Sequence, residues 1–116
     1  MAVVASNKLA SPVPVVLVKT TLTANDTMTY NPAANGVLFL DNPTASPVTV
    51  TIDGDKAATA FAPGGIGSTI DLSAGLPIIV PANKTIAVRL ADIQRYLAGA
   101  IAVKGGVGVI AWTAEA

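Results

Sequence analysis

Residues Val48 to Asp53, Val-Thr-Val-Thr-Ile-Asp, alternate apolar and polar side chains, and five of the six are β-branched. A period of two puts Val48, Val50 and Ile52 on one face and Thr49, Thr51 and Asp53 on the other. β-Branched side chains are stiff at χ1 and pack well on a pleated surface. The stretch therefore reads as a half-buried strand. Just before it, Val37 to Asp41 is apolar on both faces, as a central strand would be. Between the two, Asn42-Pro43-Thr44-Ala45-Ser46-Pro47 carries two prolines that cannot donate to a ladder. Together these residues predict a hairpin-like pair with a proline-guarded loop.

Further strand-like segments follow at short spacing: Pro14–Thr20, Thr27–Tyr30 after an Asn25-Asp26 turn, Ser68–Leu72 and Pro77–Val80. In Lys84–Leu90, Ile86, Val88 and Leu90 are expected to point inward and Thr85, Ala87 and Arg89 outward. Ala100–Val103 and Val107–Trp112 flank Lys104-Gly105-Gly106, which reads as a tight hairpin. One short helix is expected near residues 92–98, capped by Asp92, with Ile93, Tyr96 and Leu97 on one face and Gly99 ending it. Residues 1–12 read as an N-terminal arm and residues 13–116 as a single domain. About nine short strands separated by turn residues predict an all-β, antiparallel β-sandwich, either a jelly roll or an Ig-like Greek key.

Composition narrows the chemistry. The 116 residues include no cysteine and no histidine. That removes disulfides, thiolate nucleophiles and zinc–thiolate sites, together with the commonest neutral-pH acid/base and metal ligand. Seven basic and seven acidic residues cancel, so no basic surface for nucleic acid can be assembled. Only 12% of residues are charged, about half the usual share. Much of the apolar excess is alanine, yet too little charge remains to clothe a monomer. Part of the exterior is expected to be covered by protein, in a homo-oligomer (dimer or trimer) or against a partner. No apolar run approaches a membrane span. Residues 1–8 lack a signal-peptide pattern, so the chain is expected to be cytosolic when made.

No motif argues for catalysis, a cofactor or a metal. Gly106-Val-Gly108-Val-Ile-Ala111 matches G-x-G-x-x-A, but neither the helix nor the later acidic residue of a dinucleotide site can follow it. Pro63-Gly64-Gly65-Ile66-Gly67 lacks the lysine of a P-loop, and Asp53-Gly54-Asp55 does not continue as an EF-hand loop. The candidate contact residues are instead Phe61, Pro63 and Ile66, in a Gly/Ala/Pro-rich loop over residues 54–67, and Trp112. Loops longer than about 12 residues are usually functional or disordered. Trp112 alternates with Val109 and Ala111 and shares a face with Ile110, which suits either a second core layer or an interface anchor.

Taken together, "NGVLFLDNPTASPVTVTIDG", "IIVPANKTIAVRLADIQRYL" and the cysteine-free, Thr/Ala/Gly/Val-rich composition resemble the small β-sandwich proteins of tailed-phage virions, above all the capsid decoration (cement) proteins. The resemblance covers most of residues 13–113. It implies a non-enzymatic virion protein, made in the host cytoplasm, that binds the outside of an assembled capsid and clamps coat subunits. Its partner would be the major capsid protein or another virion protein. The alternatives are another virion subunit (neck, tail, fibre base or coat) and a carbohydrate-binding module.

Overall fold

The computed structural model describes residues 2–9, 14–55, 59–61, 69–71 and 74–115, with 59–61 and 69–71 described by their backbone. The strands in chain order are β1 Ala5–Lys8, β2 Thr20–Thr21, β3 Asn25–Met28, β4 Val37–Asn42, β5 Val48–Gly54, β6 Thr59–Phe61, β7 Thr69–Asp71, β8 Leu76–Val80, β9 Lys84–Arg89, β10 Ile101–Lys104 and β11 Ile110–Glu115. One sheet has the order β1-β11-β4-β9, with β2 also on β11 (the β11 sheet). The other has the order β3-β10-β5-β8 (the β5 sheet), and β6-β7 is a small ribbon. Helix is confined to a 3₁₀ segment, Leu90–Tyr96, among the described residues.

The pairing decides between the two sandwich topologies. β2 pairs with β11, β3 with β10, β4 with β9 and β5 with β8, all antiparallel. The chain is thus one long nested hairpin whose tip lies between β5 and β8. It is wound so that β11 also lands on β4 and β10 on β5. That winding is a jelly roll.

Two expected hairpins are corrected by it. β4 and β5 lie in different sheets, and so do β10 and β11. Sheets that pack face to face are about 10 Å apart, a gap that a five-residue loop spans easily. Residues 43–47 and 105–109 therefore carry the chain from one sheet to the other. The first crossing is organised by Asn42, which is fully buried. Its Nδ2 donates to the carbonyls of Ser46 at 2.8 Å and Val80 at 3.0 Å, and its Oδ1 accepts from the backbone N–H and hydroxyl of Thr44. In the second, Gly106 packs closely, and a Cβ there would stand 2.6 Å from Leu22 Cδ1.

Four local expectations also change. Residues 5–8, expected in a free arm, form β1, parallel to Trp112–Glu115. Ala2–Val4 pair with Thr27 of the other sheet, so the N-terminal segment stitches both sheets along one side. Residues 14–19, expected as a strand, have no regular secondary structure. β1 already occupies the edge of β11 that they would need, and pairing resumes only at Thr20. Asn25-Asp26 lie inside β3, not in a turn. The 3₁₀ segment starts after Arg89, so Asp92 sits in its first turn and does not cap it.

The core lies between the sheets and follows the period-two pattern. Leu38 and Leu40 of β4, Val50 and Ile52 of β5, Val80, Val103, Val109 and Ala111 are all fully buried. Ile86 and Val88 pack against them, as expected from the alternation of β9.

Candidate protein-docking face

Each sheet has an outer face, and the two differ in chemistry. On the β5 sheet the outer residues are Thr49, Thr51 and Asp53, flanked by Lys104 and Ala102 on one side and Ile79 and Pro77 on the other. Lys104 Nζ lies 3.2 Å from Asp53 Oδ2, the sole ion pair among the described residues. This face is mostly polar.

On the β11 sheet the corresponding row runs Ala5, Trp112, Phe39, Ala87 across four strands. Val37 and Ala114 form the next row. Trp112 and Phe39 stack, with ring centroids 5.3 Å apart and planes 11° from parallel. Although it points away from the core, Trp112 is only 7% exposed. Lys19, the last residue of the strap Pro14–Lys19, lies over the ring, with its Nζ 4.7 Å from the centroid. A cation over an aromatic face is attracted by the ring quadrupole. Trp112 Nε1 is buried and has no hydrogen-bond partner among the described residues.

The strap is fastened by one side chain. Asn7 points to the same outer face as Ala5 and is buried. Its Oδ1 accepts the Val18 N–H at 2.7 Å, and its Nδ2 donates to the carbonyls of Val18 at 2.9 Å and Thr113 at 3.0 Å. The strap's own alternation does the rest. Val15 and Leu17 are 36% and 39% exposed, whereas Val16 and Val18 are 89% and 61% exposed. Val3 and Leu9, at the two ends of β1, are also exposed. Exposed apolar side chains thus flank β1 at both ends and occupy the strap that Asn7 holds.

Asp26 anchors the N-terminal end of this border. It is buried, and its carboxylate accepts the Ala2 N–H at 2.9 Å, the Thr23 N–H at 2.7 Å and the Thr23 hydroxyl at 2.8 Å. Burial alone raises its pKa, but these hydrogen bonds outweigh that and hold it below the ordinary 3.8.

Of the four residues expected to make contacts, Trp112 lies on the outer face, under Lys19 of the strap. It is packed like a core residue, but in a layer outside the sandwich. Phe61 ends β6, opposite Thr69 of β7. The 54–67 segment thus holds a strand where only a loop was expected. Pro63 and Ile66 lie outside the described residues. Asp53 and Asp55 are committed separately, to Lys104 and to the Ala100 N–H. Between them, Gly54 is required because a Cβ there would stand 2.5 Å from the carbonyls of Tyr96 and Ala98. The strap valines were missed as surface residues because their β-branched run reads as a buried strand. The flanking Pro12 and Pro14 were the available signal that no ladder forms there.

No family model, curated protein or solved structure matches this chain.

Proposed function

We propose that this chain is a non-enzymatic structural protein of a phage particle, and that it binds the outside of the assembled capsid through the β1 side of its jelly roll. The observation that carries the reading is the group of exposed apolar side chains on and around β1, Val3, Leu9 and Val15–Val18, on a protein with no net charge. Contiguous exposed apolar surface rimmed by polar residues marks protein contact sites. A coat subunit or a second copy of the chain would bury it.

The carbohydrate-binding alternative fares worse on this geometry. Sugar platforms need exposed rings, whereas Trp112 and Phe39 stack on each other and Trp112 is covered. The test is co-sedimentation of the purified protein with assembled coat shells, with isolated coat subunits as the control. Retention on shells but not on subunits is the expected result. Retention on tails or necks alone would move the protein to another part of the virion.

A further inference from the structure

We propose that the strap Pro14–Lys19 is a latch, which opens as a unit while the jelly roll stays folded and so lifts Lys19 off the Trp112 ring. The inference concerns the free protein and stands whether or not the capsid reading holds.

Three independent observations carry it. First, the strap makes no backbone–backbone hydrogen bond among the described residues. Among the described residues its backbone is held at Val18, by the Asn7 side chain. Segments with few buried contacts and solvated backbone open locally at lower cost than the core. Second, Trp112 Nε1 is buried and has no hydrogen-bond partner among the described residues. Water reaches that donor when the strap lifts, so opening returns part of its cost. Third, β1 and β2 pair with β11 on either side of the strap, at Trp112–Glu115 and at Ile110–Ala111. Both ends stay anchored to the sheet when the middle moves.

Trp112 is the single tryptophan, so its indole N–H is a unique reporter. The experiment is hydrogen exchange of the wild-type chain followed by nuclear magnetic resonance, comparing that indole proton with the backbone amides of Leu40 and Val50. A latch predicts indole exchange faster than the core amides by on the order of 100-fold or more, because local opening is cheaper than global unfolding. Indole exchange as slow as the slowest core amides would overturn it, since Trp112 would then be reached only by unfolding.

Val18→Pro removes the N–H that Asn7 accepts and touches nothing in the core. It should raise indole exchange by about tenfold, the loss of one hydrogen bond to a buried partner, while leaving the Leu40 and Val50 amides unchanged. Equal acceleration of all three protons, or none, would also overturn the latch. If this variant does not fold, the wild-type comparison alone decides.

Discussion

The two outer faces of this jelly roll occupy equivalent positions and have opposite fates. The β5 face carries Thr49, Thr51, Asp53 and Lys104 and meets water, as the outer side of an antiparallel sheet usually does. The β11 face carries Trp112, Phe39, Val37 and Ala87, and Lys19 of a strap of the chain's own residues lies over its tryptophan. The strap in turn shows valines to solvent. Val16, 89% exposed in the strap, and Ile79, 65% exposed on the β5 face, are the most exposed large apolar side chains of the two sides, and the larger apolar group lies on the β11 side, where docking is proposed.

The largest expected effect breaks the comparison directly. Trp112→Ala should cost about 3–5 kcal/mol of folding stability in a urea titration, the range for deleting a buried aromatic side chain. Thr49→Ala, on the other outer face, should change stability by less than about 0.5 kcal/mol. Similar losses for both would mean that the two faces are not different environments.

The next effect is pH-dependent and tests the seam at the N-terminal end of the β11 side. Asp26 has a folded pKa below its ordinary 3.8. Its stabilisation is therefore complete above that value and is lost as pH falls through the lower folded value. Asp26→Asn should be less stable than the wild type at neutral pH, and the difference should shrink as the acid range is entered. A difference constant with pH, measured by urea midpoints in acid and at neutrality, would mean that the carboxylate charge is not what holds Ala2 and Thr23.

The smallest effect belongs to the polar face. Lys104→Ala removes a half-exposed ion pair and should change stability by no more than about 0.5 kcal/mol, less still in high salt. A larger, salt-resistant loss would show that the polar face also contributes to folding.

Much of this architecture is legible in the sequence because period-two alternation reports directly on burial. Val48–Ile52 and Ile86–Val88 could be oriented residue by residue, and the short helical segment was placed close to where it falls. What alternation does not report is the partner of a strand. The residues around Asn42 and Gly106 are turn formers in a hairpin and in a sheet-to-sheet crossing alike. Only the buried amide of Asn42, bonded to Val80 of the other sheet, distinguishes the two. The docking face was half legible. Trp112 stood out by its size and phase, but the strap did not, because Val15–Val18 look like core until β1 is seen to hold the edge they would pair with.

The central claim is that the strap side, and not the threonine side, carries the protein contact. Two double variants, Val16→Glu with Val18→Glu and Thr49→Glu with Thr51→Glu, would each be mixed with assembled coat shells and pelleted, after circular dichroism confirms that both are folded. The strap variant should stay in the supernatant and the threonine variant should pellet like the wild type. Pelleting of the strap variant, or loss of binding by the threonine variant, would contradict the claim.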